Sequence, residues 1–531
     1  MASRRDELNA YTSARKRTVG AFLLPSGGGN DEDAPRPVRA VLPSVVIAVV
    51  IVAGFAMWGV IKPSAPKGWD SGDSIIQGKE STTRYVILPG EKGKVLHQVL
   101  NMSSARLVVK AGAKVVIVAD KVLDAYPNHG ATIGIPYAPD KLPRPDVAAA
   151  EKKWSVCNNP DKDGTKPPSQ VVFVAAGADA DKLAKPGLML QPGESMYVQA
   201  PPEKDKTPSR YLVDNTGKLH AIGSPSSPDD EKDVIAAALF GSDAVKTPQL
   251  VTKEWLSTLE TGRSIEFDRV PNFDQNKKVD SRLKISQPAE KRVGRLLFFD
   301  KSYFVVGLDQ LYAISPFQAA LALRDPKLSK LYDNGTQKFA EMSASDYAAL
   351  KNSINEKDMK DPEGIPDEKP AERAVNFKDR KVLCSTFEGM EGTKVKRSVW
   401  ADTAYPATVT AGSASARVSP GQGLLFRAMD AASATDSSGS NFLITETGLR
   451  YPVPSNSDGG KAGAGAGAGA SATPSPEPQP AEQAGQPQVN ENAARLGYDK
   501  VAPRPVPLQW AMLVPAGPVL TTDSARQAQI A

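Results

Sequence analysis

One run, Ala40 to Ile61, carries no charged residue and is mostly apolar, and nothing like it recurs in the 531 residues. About 22 helical residues cross the hydrocarbon core of a bilayer once. The run splits the chain into a polar tail (1–39) and a long polar body (62–531) that must lie on one side of a membrane. A cleaved signal peptide fits less well, because the tail exceeds a usual n-region and the small-residue site Ser64-Ala65 is followed by Pro66. A buried core helix rarely lacks every charge over this length. The reading is therefore a single uncleaved anchor over 40–61.

Flanking charge does not orient it: Arg36 and Arg39 stand on one side, Lys62, Lys67 and Lys79 on the other. The two cysteines, Cys157 and Cys384, both lie in the body. A sparse, even pair suits one structural disulfide in an oxidising compartment, with two buried free thiols as the alternative.

Four stretches of the body share a pattern. Arg210 to Ile222 aligns without a gap on Asn441 to Val453, and Ser302 to Ile314 has the same length and apolar ends. Arg84 to Val99 repeats the pattern with three extra residues, assigned to the turn. Each reads as two short strands about a polar turn. The recurring positions are Arg84, Tyr85, Gly93 and His97; Arg210, Tyr211, Gly217 and His220; Tyr303 and Tyr312; and Phe442, Gly448 and Tyr451. A small-residue helical segment follows each: Ser103–Val108, Lys232–Phe240, Pro316–Leu323 and Asn490–Leu496.

The spacing is irregular, which disfavours a solenoid or propeller. A second match explains it. The segment Pro192–Ala200 pairs with Pro420–Ala428, 35 residues after Cys157 and 36 after Cys384 respectively. The order is repeat, Cys, Pro-Gly strand, repeat, and then the same again. The body thus reads as two related halves, about 68–260 and 290–531, with a pseudo-two-fold axis across which equivalent cysteines can meet. That favours the disulfide, which would close a long loop.

The fold class expected is α+β and β-rich: one transmembrane helix, then four small hairpin-plus-helix repeats around a central β core with pseudo-two-fold duplication. Its parts are a tail (1–39), anchor (40–61), first repeat (68–135), first part of the core (136–203), second repeat (204–260) and third repeat (290–340). A charged loop (341–379), the second part of the core (380–432) and a fourth repeat (437–454 and 491–531) complete it. The fourth repeat is interrupted by a Gly/Ala/Pro-rich insertion (455–490), whose composition cannot bury a core. Leu508 to Val514 reads as a strand, and Ser353 to Lys378 as a solvated loop. In the tail, Ser3 and Asp6 mark a helix start, and Leu8, Tyr11, Val19 and Phe22 fall near one face of a helix stopped by Pro25 and the glycines at 27–29. Its polar face is basic, suiting a partner protein or anionic lipid.

Little in the chain points to catalysis. No Gly-x-x-x-x-Gly-Lys-Ser/Thr loop, Gly-x-Ser-x-Gly elbow or His-Glu-x-x-His motif occurs. The nearest phosphate-loop candidate, Gly90 to Lys94, has the wrong spacing and sits in a hairpin turn. Of three histidines, His97 and His220 occupy a repeat position that elsewhere holds Tyr312 and Tyr451, a packing or hydrogen-bonding role. His129 stands alone. No catalytic, cofactor or metal residue is assigned. A net charge of +5 with 6% aromatics offers no nucleic-acid platform.

The segments Ser3 to Tyr11, Gly68-Trp69 leading to Gly72 and Arg84-Tyr85, and Gly134-Ile135-Pro136-Tyr137-Ala138-Pro139, with the two cysteines, resemble the EccB family. This is the single-pass subunit of the type VII (ESX) secretion membrane complex of actinobacteria. The resemblance covers most of the chain; the Gly/Ala/Pro linker and the charged loop before Cys384 depart from it. It implies a cytoplasmic N-terminal helix, one membrane span and an elongated extracytoplasmic region of four repeats around a disulfide-bearing core. It also implies assembly with EccC (an FtsK/SpoIIIE-type ATPase), EccD and EccE, self-association outside the membrane, and possible contact with peptidoglycan. An ATPase activity is proposed for some members; this sequence gives it no phosphate loop.

Overall fold

The computed structural model of the chain describes residues 4–23, 37–61, 65–91, 93–161, 166–183, 185–204, 207–245, 247–274, 283–287, 290–357, 359, 374–392, 394–409, 415–429, 439–455 and 490–529. Nearly all of the insertion at 455–490 lies outside these residues, as does much of the charged loop. The chain forms two compact units. One holds residues 1–69, 78–81 and 116–126, and the other holds 70–77, 82–115 and 127–531.

The first unit contains the helices Arg4–Leu23 and Pro37–Ile61. Asp6 and Glu7 in the first turn of Arg4–Leu23 complement the positive end of the helix dipole. Leu8, Tyr11, Val19 and Phe22 are all exposed on it. Within Pro37–Ile61 the side chains described, at 41 and 43–55, are exposed. Among the described residues no helix is long and apolar enough to cross a membrane. The whole charge-free run of the sequence is what argues for a span.

The second unit is built on five sheets. Four share one plan. A leading strand (Ile75–Gly78, Met196–Gln199, Leu296–Phe299 or Leu424–Met429) runs antiparallel to the first strand of a hairpin. The hairpins are Arg84–Gly90 with Gly93–Val99, Arg210–Val213 with Lys218–Ala221, Ser302–Val306 with Leu311–Ile314, and Ser440–Ile444 with Arg450–Pro452. A short helix follows: Met102–Val108, Asp229–Phe240, Pro316–Ala322 or Glu491–Leu496. The chain then returns beside the leading strand. Gln249–Leu250, Ala340–Glu341 and Arg504–Pro507 pair with it in parallel. In the first case the Ile75 N–H donates to the Lys114 carbonyl at 3.0 Å. A last segment runs parallel to the second hairpin strand, through Glu260–Thr261, Ile354–Asn355 or single bridges at Leu96↔His129 and Arg450↔Ala516. These four are called modules one to four below.

Local chemistry sets the helix starts. Asn101, Ser315 and Asn490 accept from the backbone N–H three residues on, and Ser315 with Gln318 forms a full capping box. Asp229, Asp230 and Glu231 fill the first turn of the module-two helix. Helix ends are closed by the neighbouring module. Arg106 of module one donates to the Leu496 carbonyl (2.9 Å), and Arg495 of module four donates to the Val109 carbonyl (2.7 Å).

Three readings from sequence are corrected. The extra residues of the first hairpin lengthen both strands rather than the turn, since Gly90 pairs with Gly93. Leu508–Val514 is not a strand. The strand is Arg504–Pro507, and Leu508–Ala511 is a helical turn that buries Trp510, Ala511 and Val514 at helical, not alternating, spacing. The region 341–379 is not simply a solvated loop. It opens with the helix Ala344–Leu350 and the strand Ile354–Asn355, and at its far end Asn376 is buried, trading hydrogen bonds with the Tyr197 backbone.

The fifth sheet is central. Its order is Lys394–Asp402, Val382–Glu391, Lys153–Asn159, Ser169–Ala175, Ala416–Val418. Each half of the chain contributes two strands, and each lends its next segment to the other half. Ala416–Val418 pairs with Ser169–Ala175, while Met189 bridges to Trp400 and Leu190 N–H donates to Val399. The first pairing is parallel and the second antiparallel, so the two-fold relation is approximate.

The core follows this exchange. Trp154, Val156, Val172, Leu383 and Val399 of the central sheet pack with Met196 and Val198 of module two and Phe426 and Phe442 of module four. Modules one and four share a second cluster, in which Val86, Val99 and Leu107 meet Leu443, Tyr451 and Leu496. Modules two and three share a third, in which Leu212, Ile235 and Leu239 meet Phe317 and Leu321. First partners fourth and second partners third.

Candidate functional site

At the centre, Cys157 and Cys384 stand directly opposite on neighbouring strands and are joined, with Cα atoms 4.1 Å apart and 227 residues between them. Both are fully buried. Their neighbours knit the same strands: Ser155 Oγ lies 2.8 Å from Thr386 Oγ1, which also accepts from the Trp400 indole N–H at 2.8 Å. The bond ties the two inner strands of the sheet to which both halves lend segments.

The recurring hairpin positions hold the modules closed. His97, His220 and Tyr451 each lay a ring against a glycine of the last segment of their module. A Cβ at Gly130, Gly262 or Gly517 would come within 2.2, 2.6 or 2.4 Å of that ring. His97 and His220 donate from Nδ1 to the Ala131 and Arg263 carbonyls, both at 2.9 Å. Tyr312 instead takes a hydrogen bond from Gln310 at 2.9 Å. The position therefore packs and hydrogen-bonds. The turn glycines Gly93, Gly217 and Gly448 have φ of +110°, +83° and +77°, where a side chain is strained. Arg84 and Arg210 pair with Asp140 and Asp233, each at 2.6 Å. The aromatic one residue on differs in surroundings. Phe442 stacks on Phe426 (5.5 Å), Tyr303 meets Phe298 (5.2 Å), and Tyr211 packs on the central cluster.

Module two adds a buried histidine–carboxylate contact. His220 Nε2 lies 3.4 Å from Asp214 Oδ2, and Asp214 Oδ1 accepts from the Thr216 and Lys218 N–H groups and the Thr216 hydroxyl. Burial alone would raise the Asp214 carboxyl, but the hydrogen bonds from His220, Lys218 and Thr216 hold it below the usual carboxylate range. Between modules two and three, Arg269 grips Asp325 with two bonds (2.7 and 2.9 Å) and reaches Glu231 at 3.0 Å.

Sequence reasoning missed Trp255 and Trp510. Both are fully buried in the central cluster, and both sit on the helical turn that follows the strand parallel to the leading strand, in modules two and four. Each contributes about 4–6 kcal/mol of apolar transfer. The signal was available: each stands six residues beyond the start of that strand, Gln249 or Arg504.

Among the described residues no group of three or more His, Cys, Asp or Glu could hold a metal. Gly90 and Gly93 close a strand–turn–strand hairpin, whereas a phosphate loop leads into a helix N-terminus. A polar cleft of about 470 Å³ includes Asn159, Asp161, Gln249, Asn376 and Lys381. The amides of Gln249 and Asn376 are already engaged, with the Lys381 and Tyr197 carbonyls.

Over residues 1–531 the sequence matches the family described as Type VII secretion system ESX-1, transport TM domain B. The chain belongs to the EccB family of type VII secretion proteins. It is 31% identical over 183 residues to the ESX-1 secretion system ATPase EccB1 of Mycobacterium tuberculosis, covering 34% of this chain and 35% of that protein. The aligned part thus spans about a third of that relative's length. It is 24% identical over 434 residues to the ESX-3 secretion system ATPase EccB3 of Mycolicibacterium smegmatis, covering 79% and 76%. The fold is similar to a chain of the intact ESX-5 inner membrane complex (TM-score 0.59, 18% identity, 100% of this chain and 96% of that one). It is also similar to an EccB3 dimer from the ESX-3 core complex (TM-score 0.58, 18% identity, 86% and 100%).

Proposed function

We propose that the protein is a non-catalytic structural subunit of a type VII secretion membrane complex. Its charge-free run Ala40–Ile61 crosses the membrane once, the helix Arg4–Leu23 lies in the cytoplasm, and the disulfide-linked body lies outside. The charge-free run Ala40–Ile61, about 22 residues, would measure about 33 Å as a helix, close to the ~30 Å apolar core of a bilayer. A disulfide at the centre of the body suits an oxidising compartment. The body self-associates, and the whole assembles with an EccC-type FtsK/SpoIIIE ATPase, EccD and EccE.

The observation that carries the reading is the combination of a charge-free run of bilayer length with a fold like that of chains solved in an ESX inner membrane complex and as a dimer. Relatives bear the word ATPase in their names. In this chain the missing phosphate loop favours assembly over hydrolysis. The test is affinity purification of the tagged full-length protein from native membranes in mild detergent, with mass spectrometry of the large particles. Recovery of an FtsK-type ATPase and a polytopic partner at fixed ratio is expected. Recovery of the protein alone, or with wall fragments only, would refute it.

A further inference from the structure

Module one presents one aromatic side chain against its own conformational preference. Tyr137 has φ of +61° and is 89% exposed. It stands in a turn closed by the Ala138 N–H donating to the Ile135 carbonyl at 3.2 Å, with Pro136 before it. That is the turn position which normally takes glycine or asparagine, because other side chains are strained there. The turn does not form by default; it is over-determined by its flanks. Asn101 donates to the Ile135 carbonyl, and Ser104 Oγ accepts from the Ile135 N–H, both at 2.8 Å. Ser103 donates to the Pro139 carbonyl, and Asp140 holds both Arg84 and the Met102 N–H. Ile135 and Ala138 are buried on either side of the exposed pair Pro136-Tyr137.

The fold thus fixes a bulky amphipathic ring in solvent, where it serves no packing. Strain maintained at an exposed, rigidly held side chain is a mark of a contact residue. A preorganised tyrosine loses little freedom on docking and is among the residues that dominate interfaces.

We infer that the Pro136-Tyr137 turn is a contact through which one copy of this chain holds a second copy; the inference rests on the self-association proposed above. A second copy is the occupant favoured by the likeness to a chain solved as a dimer, and the charge of the patch permits it. A patch that meets its own copy across a two-fold axis cannot be of one sign. The charges beside the turn are balanced and paired within the chain: Asp140 with Arg84, Lys141 with Glu446 and Arg144 with Asp146. Lys141, Arg144 and Asp146 have 71, 77 and 66% of their side chains exposed.

The test uses the full-length protein in membranes, expressed as two differently tagged copies with benzoylphenylalanine in place of Tyr137. Illumination is expected to join the two tags through the peptide that contains position 137. Tyr137→Gly is the companion variant. Because glycine relieves the positive φ, its melting temperature should be unchanged or higher, while the self-association constant weakens about tenfold or more. Cross-linking to a different protein, or none in preparations where the two tags still co-purify, would overturn this contact and leave the proposed function standing. Unchanged self-association of Tyr137→Gly would overturn it equally. A full-length protein that never co-purifies with its own copy would remove the self-association on which both rest.

Discussion

Removing the central disulfide should cost the body several kcal/mol. In the chain-entropy account a cross-link acts by restricting the unfolded chain, and a separation of 227 residues gives about 5 kcal/mol. The variant is Cys157→Ala/Cys384→Ala, which avoids leaving two polar thiols facing each other in the core. Urea unfolding of the full chain in detergent, followed by tryptophan fluorescence, reads the result. Four of the six tryptophans, Trp154, Trp255, Trp400 and Trp510, are fully buried, so most of the signal reports the centre. With a urea dependence of about 3 kcal/mol per molar, the midpoint should fall on the order of 1–2 M. The location adds a second expectation. Both cysteines are fully buried, so reductant under native conditions should leave the bond intact, and a urea concentration within the unfolding transition should expose it. A midpoint shift below about 0.3 M would refute the reasoning, because the cross-link would then be spanning a chain already held together when unfolded.

Three further outcomes follow from the modules. Gly262→Ala drives a Cβ into the ring of the buried His220 and should destabilise by about 1–3 kcal/mol in a thermal melt, while Gly187→Ala, with open space around it, should change stability by less than about 0.5 kcal/mol. The Asp214 carboxyl is depressed in the folded state. Its contribution is therefore complete above its ordinary pKa near 3.9 and is lost as pH falls through the lower folded value; Asp214→Asn should flatten the acid-unfolding profile in that range. Arg269→Ala strands the Asp325 carboxylate, which is 1% exposed, and should cost about 3–5 kcal/mol by denaturant titration; a loss under 1 kcal/mol would show that water takes over the role of the arginine.

The hairpins were legible because their information is local: a two-strand apolar pattern about a glycine turn, then a capped helix. The edge strands were not. Gln249–Leu250, Ala340–Glu341 and Ile354–Asn355 are two residues long, too short to show any period, and exist because a neighbouring strand offers a free edge. Leu508–Val514 misled for a related reason. A short apolar run fits a strand or a helical turn equally until something fixes which faces are buried, and Trp510 in the central cluster fixes it. The equivalence of Cys157 and Cys384 was readable from the spacing to the Pro-Gly strands. The exchange of segments between halves was not, because nothing in a strand's sequence records whose edge it will join. The glycines that face the rings of His97 and His220, Gly130 and Gly262, lie more than 30 residues away and carry no signal of their own.

The exchanged strands also set a timetable. A ribosome delivers the first half long before the second, so Ser169–Ala175 emerges with its outer edge bare and waits for Ala416–Val418. At 5–20 residues per second, about 10–45 s separate the appearance of Cys157 from that of Cys384. Throughout that interval the nascent chain carries an open sheet edge and an unmatched thiol. The first half is thus open to mispairing during synthesis in a way the finished body is not.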